Sequence, residues 1–206
     1  MKNIIYVLIA SMIIPLLFLI SCHSPKSEAE QAKEKAIKTD SLTKAFIEQG
    51  RLISRSSFEA LSSSLMQAMK QGGVSYALQF CNVKANPIAN SLSAVYEADI
   101  KRISVRNRSP FNQPEESDME VYAYYTSMFD QAMPAGDTVV FAEKQATYYA
   151  PILIAPQCLV CHGKVGDDMN QSNHNLITDL YPNDQAIGFE PGELRGLWKI
   201  GFTFAP

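Results

Sequence analysis

Hydrophobic and polar positions divide the chain into three regimes. Residues 1–21 are almost continuously apolar, residues 24–38 are polar and mixed in charge, and the remainder carries helical and then strand-like periodicity. Leu42, Ala45, Phe46 and Gln49 to Ile53, followed by Phe58, Leu61, Leu65, Met66 and Met69, keep the spacing of an amphipathic helix. Gln71-Gly72-Gly73 predicts its C-terminal stop, because glycine adopts the left-handed backbone that ends helices. A second helix is expected over 74–87, where Tyr76, Ala77, Phe80, Cys81 and Lys84 recur at three- and four-residue intervals. It resumes beyond Pro87 through Ile88, Leu92 and Val95.

The texture then changes. Residues 99–105 read as a short strand and 107–114 as a loop rich in Pro and Asn. Glu115 and Glu116 open a helix through Met119, Tyr122 and Met128, with acids at the end where the helix dipole favours them. Residues 138–141 and 146–154 are rich in β-branched and aromatic side chains and predict a hairpin, and 198–204 predicts a last alternating strand. No internal repeat is visible. The sum is an α+β fold, N-terminal helices followed by a small antiparallel sheet.

Composition narrows the function. The chain has 206 residues, 47% of them hydrophobic, with 18 basic and 21 acidic side chains and a net charge of −3. That length suits one domain with appendages. The balance of charge lacks the basic footprint of a nucleic-acid binder, and it is too small for an acidic disordered protein.

The apolar start changes the picture of location. Lys2 is the only charge in residues 1–21, and 16 of those residues are hydrophobic, the n-region and h-region of a secretory signal. The apolar run lies at the short edge of what spans a bilayer, so an uncleaved anchor is the alternative. Leu19-Ile20-Ser21-Cys22 resembles the bacterial lipoprotein lipobox, an apolar pair and a small residue before the cysteine that receives a diacylglyceryl group. The expectation is a signal peptide over 1–21, a polar tether over 22–40 and a folded domain over 41–206. The product would be exported and held by Cys22 on a bacterial membrane, facing the periplasm or the cell exterior. A second acyl chain on the new N-terminus would supply the two-signal anchoring that stable attachment needs.

Four cysteines are present: Cys22, Cys81, Cys158 and Cys161. With Cys22 lipidated three remain, and an odd number argues against a simple disulfide framework. Cys158-Leu159-Val160-Cys161-His162 is a C-x-x-C-H sequence. At this chain's Cys and His frequencies its chance occurrence is on the order of one in a thousand, so the motif carries weight. Two thiols so spaced can each reach a vinyl group on one porphyrin edge, and the following histidine is carried beneath the iron as proximal ligand. A thioredoxin-like redox pair would need a βαβ context that the pattern lacks. A zinc site would need four ligands, with only Cys81, His174 and carboxylates left to complete it. For the sixth iron position the residues leave His174, Met169 and the less usual Cys81 open.

Several ordered blocks resemble a bacterial family of c-type haem domains with a PAS-like fold, found alone or at the sensory end of histidine kinases and long catalogued as a domain of unknown function. They are Gly72-Gly73 with Phe80-Cys81-Asn82 and Ala85; Lys101-Arg102-Ile103-Ser104; and Arg108-Ser109-Pro110-Phe111-Asn112-Gln113-Pro114. Tyr149-Ala150-Pro151-Ile152, Cys158 to Gly163, Tyr181 to Phe189, and Gly192-Glu193-Leu194-Arg195-Gly196 follow. The resemblance spans about Gly72 to Gly201. Ser109 stands where the family has Asn, and Glu193 where it has Asp, neither at an iron ligand.

This resemblance implies one covalent haem c on Cys158 and Cys161, with His162 proximal and Cys81 at the opposite axial position. A thiolate is a strong anionic donor that stabilises Fe(III), and its release on reduction would open a site for a small ligand. Such coupling suits a sensor of redox state or of a diatomic gas. Arg102, Arg106 and Arg108 are candidates to pair the haem propionates, since guanidinium forks match carboxylates. The 206 residues leave no room for an output domain, so a separate redox or signalling partner is expected. The alternative is an electron-transfer cytochrome c lipoprotein. A haem enzyme is not expected, because His174 is the only obvious distal acid–base residue and no paired Arg-His motif accompanies it.

Overall fold

The computed structural model describes residues 27–204. The expectations for the signal segment 1–21 and for Cys22 fall outside the described residues. Among those described, no helix is long and apolar enough to cross a membrane.

The chain divides into two units at Lys38 and Thr39. The described part of the first is helical and exposed. The sequence reading saw only a polar tether here, because no apolar stripe marks a buried face. Ala, Glu, Lys and Gln are nonetheless strong helix formers. Ser27 and Glu30 cap the start reciprocally: Ser27 N donates to Glu30 Oε2 at 3.0 Å and Glu30 N to Ser27 Oγ at 3.3 Å.

The second unit holds the sheet. Helix α1 (Glu28–Tyr96) is interrupted by non-helical backbone at Gly72 and Gly73, the stop expected from the sequence. Gly73 has φ 69°, which costs a side-chain-bearing residue strain, so glycine is required there. Pro87 does not interrupt the second arm. Strand β1 (Asp99–Ile103), helix α2 (Met119–Asp130), the hairpin β2 (Thr138–Ala142) and β3 (Gln145–Leu153), helices α3 (Leu159–His162) and α4 (Gln171–Leu180), and strand β4 (Leu194–Thr203) follow. The four strands form one antiparallel sheet in the order β1-β4-β3-β2. The α+β architecture, helices followed by an antiparallel sheet, is therefore the one the periodicity predicts.

Both faces of the sheet are covered. Ile100, Ala146, Tyr148, Ala150, Trp198, Ile200 and Phe202 pack with Ile53, and Phe46, Leu61 and Leu92 close over them, so this face belongs to α1. A Cβ on Gly50 would enter the Tyr148 ring, so the helix approaches the sheet there only because it has no side chain. On the opposite face Ile103, Tyr149 and Leu197 meet Tyr122 and Tyr125 of α2. Strand β4 begins at Leu194, earlier than the alternation indicated, because it follows β3 past a register shift at Ile152/Leu153. Helix α4 was not anticipated. Its signal is Asn170, whose side chain accepts from Asn173 N at 2.8 Å, ahead of Leu176, Ile177 and Leu180.

Candidate functional site

A cavity of about 230 Å3 opens between the two arms of α1, the end of the sheet and the segment entering α3. Phe58, Leu61 and Leu65 line it from the first arm and Cys81 and Ala85 from the second. The sheet side supplies Arg102, Ile152, Arg195, Gly196 and Trp198, while Ile154, Cys158 and His162 close the end. Phe58 is 57% exposed, which leaves a large aromatic surface at the mouth without a protein neighbour.

The C-x-x-C-H segment starts as a 3-10 turn, Pro156–Cys158, and becomes the single turn α3. The stretch at Gly188–Phe189 holds it in place: Phe189 N donates to His162 O and Gly188 N to Gly163 O, both at 2.9 Å. The same stretch presents Ala186 O to His162 Nδ1 at 2.7 Å. With the Nδ1 proton given to that carbonyl, Nε2 keeps its lone pair, the tautomer a metal-ligating histidine needs. Burial, then the positive charges of Arg195 and Arg108, hold the imidazole well below its ordinary pKa and therefore neutral. Phe189 packs edge-on against the ring, centroids 6.3 Å apart.

Cys81, Cys158 and Cys161 are all free thiols. Cys158 reaches the cavity. Cys161 packs on the adjoining wall beside the cluster of Leu78, Met169 and Ile177. Burial raises the Cys81 thiol pKa, with Arg102 and then Arg108 pulling it back down. Burial raises Cys161 likewise, against Arg108. Among the described residues no three His, Cys, Asp or Glu side chains converge, as a zinc site would require. The antiparallel sheet also removes the βαβ setting of a thioredoxin-like pair.

Of the three candidates for the sixth position, only Cys81 shares the cavity with His162. Met169 is fully buried in the Leu78–Ile177 cluster. His174 lies on α4 with Nδ1 3.3 Å from Gln171 Nε2, outside the lining.

The three arginines named from the sequence separate. Arg102 lines the cavity, and its side chain makes no hydrogen bond or ion pair with any described residue. Burial lowers its pKa, partly offset by Cys81 and Tyr181. Arg106 lies outside the lining, bonded to Ile187 O and stacked 3.7 Å from the Phe189 ring centroid. Arg108 also lies outside it. Its guanidinium forks onto Asp184 at 3.1 Å and donates to Cys161 O at 2.7 Å and Ala186 O at 3.1 Å. Arg108 thus ties the motif backbone to the carbonyl that orients His162.

Arg195 was missed as a site residue. It stands on β4, lines the cavity and donates from Nη1 to Arg106 O at 3.2 Å. Burial, then repulsion from Arg108 and Arg102, brings its pKa down to about 10, with Asp184 giving partial relief. The Arg-Gly step in the final sequence block was its only signal.

A largely apolar cavity lined by an imidazole, by thiols from the second arm of α1 and from the turn before α3, and by two arginines fits a haem: it offers apolar walls, candidate iron donors and partners for carboxylates. The fold and this donor set define an α+β domain built around a C-x-x-C-H turn. The chain belongs to the Tll0287-like family, whose model (Tll0287) matches residues 22–203. Among solved structures, the crystal structure of the cyanobacterial heme-protein Tll0287 is similar in fold. It is 21% identical, with 76% of this chain and 94% of that chain covered and a TM-score of 0.54. No curated protein matches the chain.

Proposed function

We propose that the chain is a membrane-tethered c-type haem protein that senses redox state or a diatomic gas, with His162 and Cys81 as axial iron ligands. One observation carries the reading: His162, its Nδ1 committed to Ala186 O, and Cys81, from the far arm of a kinked helix, line the same apolar cavity. The similar cyanobacterial structure is that of a heme-protein, which supports the cofactor. Cys158 and Cys161 hold one haem through thioethers, and Cys22 carries the lipid. When bound, the haem would supply a redox-active iron able to take an exogenous ligand once the Cys81 thiolate is released.

The protein's own residues set the terms of that chemistry. His162 is oriented by a carbonyl that Arg108 also grips, so its ring direction is fixed by packing rather than by the iron. Cys81 is an anionic donor when deprotonated, stabilising the ferric state and lowering the potential relative to His/Met ligation. Gly72 and Gly73 separate its arm from the arm carrying Phe58, Leu61 and Leu65. The signal passes to a separate protein partner.

Ferric and ferrous absorption spectra, with and without CO, of wild type beside Cys81→Ala test the reading. A thiolate-type ferric spectrum lost in Cys81→Ala, with CO bound by the ferrous wild type, is the expected result. Identical spectra for the two proteins would remove Cys81 from the iron. A six-coordinate ferrous form that refuses CO would point to an electron carrier instead.

A further inference from the structure

Most charged groups around the site have a carboxylate or several carbonyl partners. Two arginines at the cavity lack a carboxylate, although Arg195 donates to Arg106 O at 3.2 Å and lies 5.5 Å from the Phe189 ring centroid. Arg108 is committed to Asp184 and to two carbonyls. Arg106 is committed to Ile187 O and the Phe189 face and lies 3.9 Å from Glu193. Lys199, on the other side of the sheet, is held by Asp118 and Glu115. Arg102 and Arg195 are different. Both line the cavity, and neither forms an ion pair with any described residue. Both are partly buried, and a partly desolvated cation without a counter-charge is unfavourable, while two on one cavity repel each other. The Cys81 thiolate could answer one charge at most.

We infer that Arg102 and Arg195 form a dicarboxylate clamp that takes the two propionates of the porphyrin and fixes which edge of the macrocycle faces the sheet. The inference rests on the haem reading above and deepens it. Protoporphyrin carries its vinyl groups and its propionates on opposite edges. Cys158, which captures a vinyl group, enters from the turn before α3, whereas Arg102 and Arg195 enter from β1 and β4. Motif and clamp thus come from separate elements, which allows them to meet different edges of one ligand. Arg102 lies opposite Trp198 in the β1–β4 ladder, so the rigid sheet sets its position. Burial holds both guanidinium groups below their ordinary pKa, a penalty that a bound dianion relieves. Arg106 and Arg108 become positioning residues for the turn that carries His162.

The test uses the full chain with Cys158→Ala and Cys161→Ala, so that porphyrin binding is reversible. It is titrated with ferric protoporphyrin IX and with the dimethyl ester of the same compound. The diacid is expected to bind at least tenfold more tightly than the diester. Adding Arg102→Gln and Arg195→Gln should bring the two affinities within twofold by weakening the diacid alone. Arg102→Lys and Arg195→Lys keep the charges and should retain most of the preference, which gives a readout if the glutamine pair fails to fold by circular dichroism. Equal affinity for both compounds with the arginines present, or a preference that survives their removal, would overturn the clamp while leaving the haem site standing. Binding of neither compound would overturn the haem reading and the clamp with it.

Discussion

Two charged clusters on the one sheet are finished in opposite ways. Beneath α2, Asp118 is fully buried, yet it accepts from Tyr149 Oη at 2.7 Å, from Glu115 N at 2.9 Å and from Lys199 Nζ at 2.8 Å. Beneath α1, Arg102 and Arg195 face an apolar cavity without a carboxylate. The first cluster compensates every charge from within the chain and so is structural. In the second, neither arginine forms an ion pair with any described residue, the condition from which the propionate clamp is inferred. Breaking a buried ion pair strands the charge that remains, whereas cations without a counter-charge at a cavity are candidate ligand contacts.

The largest effect separating the clusters should come from Asp118→Ala. Removing the carboxylate leaves Lys199 with only the exposed Glu115, and the loss of unfolding free energy is expected at about 3 kcal/mol. Urea unfolding of the apoprotein at neutral pH measures it, and a loss below about 1 kcal/mol would break the contrast.

A pH dependence follows next. Although burial pushes Asp118 upward, hydrogen bonds from Lys199, Tyr149 and Glu115 N hold its carboxyl below the ordinary value. A depressed folded-state pKa contributes stability that is complete above the unfolded value and lost as pH falls through the folded one. Wild type should therefore lose stability from about pH 4 downward more steeply than Asp118→Asn, as unfolding midpoints at pH 6 and pH 3 would show. Parallel midpoints for the two proteins would remove Asp118 from the acid response.

The smallest effect is expected at the cavity. In the apoprotein Arg102→Met removes a cation that has no partner, so stability should change by less than about 0.5 kcal/mol or rise. A loss comparable to that of Asp118→Ala would mean that the two clusters are built alike.

Much of the fold could be read from the chain because local spacing reports local structure. The three- and four-residue intervals before Gly72 and the alternation in 138–141 and 146–154 correspond to real elements. The exposed helix before Lys38 and helix α4 escaped because neither carries a broad apolar stripe. At the candidate site, the C-x-x-C-H spacing pointed to Cys158, Cys161 and His162, and the structure lines one cavity with Cys158 and His162. The arginines could not be sorted in the same way. Arg102, Arg106 and Arg108 look alike in sequence, and their different fates depend on Asp184, Ile187 and the cavity, none of which is near in the chain.

By itself, the sequence determined the α+β class, the glycine break in the long helix and the set of residues able to ligate iron. Each is encoded in backbone propensity or in separations of a few residues. The tertiary structure decided which of those residues share a cavity. It brought Cys81 to His162 and left Met169 and His174 elsewhere. It joined Arg108 to Asp184, 76 positions away, and left Arg102 and Arg195 unpaired. Charge compensation and ligand geometry act through space over a few ångströms, and only the folded chain sets those distances.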